Sequence, residues 1–586
     1  SVFLYPRANV WVRGMMALSA RAVAVVAVLI GSAAGSAFAA DIPVKARAVP
    51  AAFDWSGLYI GGHLGGGLGT TSIASPFGPS MYGDSVRTPA VFAGAQAGYN
   101  WQTSRNLVLG VEADVSVMDA NGADTCLAPS GALTSFNCRA RHDAFGSFTG
   151  RIGVVDGVDG RSLVYLKGGA AWLTSRSDVA LNAFPEIAPA ETYGTQWGWT
   201  AGVGFEQALT PAWSLRFEYN YARFGGGSVM SPAAFLQPVP GARDYMGVPG
   251  GRTGVDHSLN LVRLGLNYRF GADSHAAWPE PRLAAKAPAL APGWEVEVGG
   301  RYWYSSGRFQ KDLGITTNPA QQNVLVSRLT YDTTGHSGEI FGRIDSPRRI
   351  FVKGFAGGGT LGDGKMHDED WLARHKDNVP YSNTLSGYVP GRIGYATLDV
   401  GYDVLHADRY RLGGFVGYHY NRDEKMARGC IQLAHPYGAC ADPFSASLST
   451  NVISEDNTLH AVRVGVAGQV ALTPNLKLSA EAAYLPYARL TGLDGHLLRT
   501  DTKNIWSPEF AKGRGVQLEA ILSYALTPNL DLGIGGRYWA VWAIDDAYTN
   551  AFGMTCPCPT LPMRQERYGM FVQASYKFDP GFGSNQ

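Results

Sequence analysis

The chain has 586 residues, of which 74 are glycine, 11% are aromatic and only 17% are charged, with a net charge of +1. So even a charge balance gives no electrostatic case for nucleic acid as a partner. After the N-terminal leader, no apolar run reaches the roughly 20 residues of a membrane-spanning helix, so any membrane crossing falls to strands.

The leader comes first. Arg13 precedes the apolar stretch ALSARAVAVVAVLIGSAA at 17–34, and Ala37-Phe38-Ala39 follows it. A basic flank, a short apolar run and an A-x-A site predict a secretory signal peptide over 1–39, with cleavage after Ala39 and Met15 or Met16 as the candidate start. A transmembrane anchor is the competing reading, and the brevity of the run argues against it. A short linker, 40–52, precedes the first predicted strand.

From there, segments of alternating polarity recur. In LVLGVEADVSV (107–117), Leu109, Val111, Val115 and Val117 share one face and Glu112, Asp114 and Ser116 the other. IGYATLDVGYDVL (393–405) and VQLEAILSY (516–524) repeat the pattern. A period of two marks strands. A continuous apolar face opposite carboxylates fits lipid on one side and a polar lumen on the other. A soluble β-sandwich is the alternative, and the leader and the aromatic strand ends favour the membrane barrel.

Strands are predicted at about 55–69, 88–102, 106–118, 139–155, 161–174, 193–209, 212–225 and 255–270. An Ala/Pro-rich linker, 271–293, carries no alternation. Ten more strands follow, at about 294–308, 325–345, 349–359, 392–405, 410–421, 456–470, 476–489, 514–526, 530–543 and 567–578, then a tail, 579–586. Both counts are even, as closed bacterial barrels require. Each half ends on Tyr-x-Phe, at Tyr268–Phe270 and Tyr576–Phe578, the aromatic terminus a barrel presents to the outer-membrane assembly machinery. The predicted fold is all-β: two tandem antiparallel transmembrane β-barrels, eight-stranded (53–270) then ten-stranded (294–578). A single eighteen-stranded porin is the rival architecture.

The frame A-L-T-P-x-x-x-L occurs at 208–215, 471–478 and 525–532. Proline presets the turn corner, so these read as short periplasmic hairpins. The stretches 360–391, 422–455, 490–513 and 544–566 then become extracellular loops. The cysteines fall in close pairs. Cys126/Cys138 and Cys430/Cys440 are candidate disulfides of an exported chain. Cys556 and Cys558 are too close for relaxed disulfide geometry. A zinc site lacks the C-x₂-C spacing, and no metal or other cofactor is expected.

Two short motifs carry chemistry. Asp368 and Asp370 in KMHDEDW (365–371) are two apart, and so are Asp494 and His496 in LDGH (493–496). At a strand top, this spacing puts each pair on one face. A carboxylate beside an imidazole prepares a general base. Paired aspartates share a proton, because each charge raises the pKa of the other. One water between the two pairs would be placed to attack a peptide carbonyl. Each motif by itself is most often a solvated loop tip; their joint occurrence points to hydrolysis.

The residues Met366-x-Asp368-x-Asp370-Trp371 and Asp494-x-His496, with YRLGGFVGYHYNRDEKMARG at 410–429, resemble the omptin family, ten-stranded outer-membrane endopeptidases. The resemblance covers nearly all of 294–578. It implies that Asp494 and His496 activate water opposite Asp368 and Asp370, and that activity on polypeptides outside the cell requires lipopolysaccharide, with Arg392 and Arg411 as basic candidates for binding it. His367 and Glu369 fall at variable positions and receive no role. Gly492 stands where an acidic specificity residue is expected. In SGRFQKDL (306–313), Asp312 serves as the second acid only if the alignment shifts by one; otherwise Lys311 stands there. The first half, on FDWSGLYIGGHLG (53–65) and its eight strands, resembles small surface-antigen barrels of alphaproteobacterial outer membranes. That implies a structural or surface role. A non-enzymatic tandem barrel (surface antigen, adhesin or envelope protein) is the alternative function, and a diffusion porin a weaker one.

Overall fold

The computed structural model describes residues 53–578 except 77–83, 129–134, 157–159, 182–188, 237–245, 272–293, 316–323, 372–380, 408–409, 435–439, 441–444, 500–504 and 550–558. The signal peptide, the short linker, nearly all of the Ala/Pro linker, Cys556, Cys558 and the tail therefore lie outside the described residues.

Every described element is a strand. In chain order these are β1 (Gly57–Ile73), β2 (Ser85–Ser104), β3 (Leu107–Cys126), β4 (Phe136–Asp156), β5 (Ser162–Leu181), β6 (Ala190–Ala208), β7 (Trp213–Met230), the short β8 (Ala234–Leu236) and β9 (Met246–Val248), and β10 (Arg252–Arg269). The eight long strands form a closed antiparallel barrel sealed by β1 against β10, with Tyr59 opposite Arg269 and Ile73 opposite Val255. There follow β11 (Glu295–Ile315), β12 (Val324–Asp345), β13 (Ile350–Asp370), the short β14 (Ser382–Ser386), β15 (Gly391–Ala407), β16 (Tyr410–Ala434), β17 (Ala446–Ala471), β18 (Leu476–His496), β19 (Trp506–Ala525), β20 (Leu530–Thr549), the short β21 (Pro559–Thr560) and β22 (Met563–Phe578). Their ten long strands pair in a continuous ring, from β11–β12 and β12–β13 round to β20–β22 and β22–β11.

The A-L-T-P hairpins have a mechanism beyond proline. In each, the leucine N–H donates to a carbonyl across the turn, as from Leu209 to Trp213, Leu472 to Leu476 and Leu526 to Leu530. The threonine hydroxyl accepts from the returning backbone, from Trp213, Leu476 and Leu530. Threonine thus satisfies turn amides that the sheet ladder does not reach.

Both interiors are filled by ions. In the first barrel, Lys167 pairs with Glu112 at 2.8 Å, Arg151 with Glu206 at 3.1 Å and Arg263 with Asp114 at 3.2 Å, while Arg216 bridges Glu112 and Glu218. In the second, Arg537 joins Glu339 at 2.7 Å and Glu519 at 2.6 Å, and Arg463 joins Asp399 at 2.9 Å. A barrel of eight strands has room for side chains only, and here the ten-stranded lumen is also crossed by charged side chains.

Outside the second barrel, exposed Tyr302, Tyr304, Tyr418, Tyr484 and Tyr487 form an upper aromatic belt. Trp294, Tyr402, Tyr524, Tyr576 and Phe578 form a lower one, with Val298, Val400, Val416 and Val572 between. That is the pattern of a lipid band flanked by its two interfaces. The strands do not stop at the upper belt. The stretches expected to be extracellular loops are in large part strand: β13 runs to Asp370, β16 to Ala434, β18 to His496, and β17 begins at Ala446. Above the lipid no apolar outer face is needed, so the alternation that reveals a strand fades while backbone pairing continues.

Candidate functional site

The strand extensions carry the site. Lys311, Asp368 and Asp494 stand roughly 20 Å farther along their strands than the upper aromatic belt, outside the lipid band. The β12–β13 register sets Leu329 opposite Asp368 and Ser327 opposite Asp370, so both aspartates share the inward face with Met366, which is buried in the core beneath the site. On β18, Asp494 is 4% exposed and lies directly opposite Glu455 of β17. His496 Nε2 lies 3.0 Å from Asp494 Oδ2, and its ring is partly open to solvent.

The electrostatics divide the carboxylates by role. Burial pushes Asp368 up to about 7; Asp370 beside it and the Asp494 charge act in the same direction, while His496 and Lys311 oppose them. The raised pKa lets this aspartate carry a proton near neutral pH. Burial disfavours protonated His496, yet the hydrogen bond and charge of Asp494 outweigh it and hold the imidazole above its ordinary value. Burial likewise opposes ionised Asp494, but Lys311 and His496 draw its pKa below the usual range. The arrangement contains a carboxylate that stays ionised, an imidazole made more basic by it, and a proton-bearing acid whose pKa responds to both.

Lys311 occupies the floor. Its Nζ lies 2.6 Å from Glu455, 2.6 Å from Glu509 and 3.2 Å from Asp494. The position expected to hold an acid is Gly492, flanked across the sheet by Asn457 and Glu509. A Cβ there would meet Asn457 Oδ1 at 2.7 Å and Glu509 Oε2 at 3.0 Å, so the neighbours already fill its space. Glu455 and Glu509, both buried, place carboxyl groups beside Gly492, which has none, and Lys311 contacts both. Burial raises the pKa of both glutamates, Glu509 the more strongly. The sequence reading missed these two acids. The strand register sets them directly opposite Asp494 and Gly492, respectively.

Asp312 is not brought to the site. It projects from the opposite face of β11, held by Arg328 at 2.8 Å and Arg564 at 3.4 Å, so the inward position belongs to Lys311. Of the two basic candidates for lipopolysaccharide, Arg392 is exposed and opposite Thr360 on the outer surface. Arg411 sits at the periplasmic end, paired with Asp345 at 2.9 Å, away from the outer leaflet. The disulfides join Cys126 to Cys138 and Cys430 to Cys440, each at an extracellular strand end.

Residues 24–271 match the family model of the outer membrane protein beta-barrel domain, and residues 338–543 match that of the Omptin family. The second match begins within β12, after Lys311. The 31 kDa outer-membrane immunogenic protein of Brucella melitensis is 28% identical over 252 residues, covering 40% of this chain and 95% of that protein. An uncharacterized protein of Coxiella burnetii is 26% identical over 227 residues, 37% of this chain and 79% of its own. Among solved structures, the outer membrane protease OmpT of Escherichia coli aligns with 50% of this chain and 98% of its own at 16% identity, with a TM-score of 0.39, a likeness that carries no functional weight. The chain is an outer-membrane protein that carries an outer-membrane β-barrel domain over 24–271 and, over 338–543, a domain that matches the Omptin family.

Proposed function

We propose that the second barrel is an endopeptidase that hydrolyses polypeptides outside the cell with a water activated by Asp494 and His496. The observation that carries this reading is the 3.0 Å contact between His496 Nε2 and Asp494 Oδ2 on the same inner wall system as Asp368 and Asp370. With Nε2 held by the ionised carboxylate, the imidazole is made basic enough to take a proton from water as the water oxygen bonds to the scissile carbonyl carbon. The Asp368/Asp370 pair, carrying one proton between them, donates a hydrogen bond to the oxyanion. When the C–N bond breaks, the proton held on His496 passes to the leaving amine. Residues of the substrate beside the scissile bond would meet the Lys311, Glu455 and Glu509 floor. No metal or other cofactor takes part. Lipopolysaccharide on the outer wall near Arg392 is part of the proposal, as is insertion by the barrel assembly machinery through the two aromatic terminal strands.

The test is cleavage of an unbiased peptide library by the refolded chain in detergent containing lipopolysaccharide, beside Asp494→Ala and His496→Ala. Cleavage by the parent and loss in both variants supports the mechanism. An inert but folded parent overturns it and favours a non-enzymatic surface barrel, a reading that the first half's likeness to an immunogenic outer-membrane protein keeps in view. The charged side chains across both lumens weigh against a porin.

A further inference from the structure

The catalytic strand end has two faces, and the outer one is engaged. Asp368 and Asp370 point inward, and between them Glu369, opposite Arg328 in the register, points to the first barrel. Glu369 Oε2 accepts from the Thr125 hydroxyl at 2.8 Å, and its Oε1 from Tyr381 at 2.7 Å. Arg328, fully buried, donates to Thr125 Oγ1 at 3.1 Å and Asn137 Oδ1 at 2.8 Å. Trp371 stacks on Tyr381 and donates from Nε1 to Ser135 at 2.8 Å. Thr125, Ser135 and Asn137 belong to the top of the β3–β4 hairpin, which the Cys126–Cys138 disulfide staples.

Two further features argue that this is a fixed contact. Lower down, Val516 and Leu518 face outward yet are only 3% and 7% exposed, packed against Val91 and Val262, whereas outward Val464 is 46% exposed. Ion pairs also bridge the barrels, Arg308 to Asp124 at 2.6 Å and Arg514 to Asp119 at 2.9 Å. Buried polar groups that find partners across an interface make separation costly, because those hydrogen bonds would be lost.

We infer that the first barrel is a built-in positioning subunit for the second: its disulfide-stapled β3–β4 rim clamps Glu369, Arg328 and Trp371 and thereby sets the orientation of Asp368 and Asp370. This rests on the peptidase reading for its kinetic consequence, though not for the clamp itself. Glu369, Arg328 and Trp371 are positioning residues, acting through the backbone that they share with the aspartates or pair with.

The experiment uses the full chain with a specific protease site placed within 272–293, and the variants Thr125→Val/Ser135→Ala and Thr125→Ser. After refolding and linker cleavage, the two halves are expected to co-purify; separation of the halves overturns the clamp. Amide hydrogen exchange over 366–371 is expected to speed up by about tenfold or more in the double variant, which removes three hydrogen bonds across the interface, and to stay at the parent rate in Thr125→Ser, which keeps the hydroxyl. Unchanged exchange in the double variant overturns the proposal whatever the activity. With an active parent, kcat should fall in parallel with faster exchange while KM holds, and Thr125→Ser should retain it. With an inert parent, altered exchange upholds the clamp and only the peptidase reading fails.

Discussion

Two buried clusters of charge lie in this molecule, and they are built on opposite principles. In the lumen of the first barrel, Glu112, Asp114, Glu206 and Glu218 meet Arg151, Lys167, Arg216 and Arg263, one cation for each acid. The buried polar atoms left without a partner among the described residues there include arginine nitrogens of Arg216 and Arg263. At the mouth of the second barrel, Lys311 is shared by Glu455, Asp494 and Glu509, with His496 as the second partner of Asp494, and the atoms without a partner among the described residues include Asp494 Oδ1, Glu455 Oε1 and Glu509 Oε2. A neutralised cluster holds a barrel together. A cluster rich in acid and short of cations keeps protons in dispute, which is the condition for acid–base chemistry.

That contrast can be broken by substitution. Asp494→Ala or His496→Ala should lower kcat/KM by about 10³-fold, within the range for losing a general base, while barrel mobility on unheated gels stays unchanged. In the first barrel, Arg216→Met should leave activity chemistry untouched and cost stability, about 3–5 kcal/mol, since Glu112 and Glu218 lose a buried partner; urea unfolding in detergent reads this. Asp368→Asn should reduce kcat by about 10²-fold through weaker oxyanion stabilisation, read by single-turnover cleavage.

Two smaller effects sharpen the comparison. Lys311→Met leaves three carboxylates without their cation, and should shift cleavage toward peptides with Lys or Arg beside the scissile bond by about tenfold, seen in library cut sites. The pH profile gives the smallest shift. In the proposed mechanism neutral His496 is the base, so activity should be present above its pKa and lost as pH falls through it. Because that pKa is raised, the acid limb should lie above the ordinary imidazole value of about 6.5, and Asp494→Asn should move it downward among variants with measurable turnover.

Much of this was legible in the chain. The strand count, the A-L-T-P turns and both two-residue motifs follow from periods and spacings that lipid and backbone impose. What was not legible lies above the lipid. Glu455 in ISED and Glu509 in SPEF read as loop acids, because polar residues on both faces hide a strand once no apolar face is required. Choosing between Lys311 and Asp312 required knowing which face of β11 turned inward, and a one-residue slip reverses that answer. Glu369 carried no signal at all: its partner Thr125 lies in the other barrel, and no local pattern connects them.

The closing pairs, β1 with β10 and β11 with β22, have a further consequence. All other long strands pair with their sequence neighbours, so each barrel needs one long-range encounter to seal. The entropy of such an encounter grows only logarithmically with the chain enclosed. A ten-stranded ring is thus hardly slower to seal than an eight-stranded one on this ground, and neither seam borrows a strand from the other ring. Each ring is a self-sealing module, so a gene that joins two of them, or later loses one, need not rewrite the pairing rules of the ring that remains.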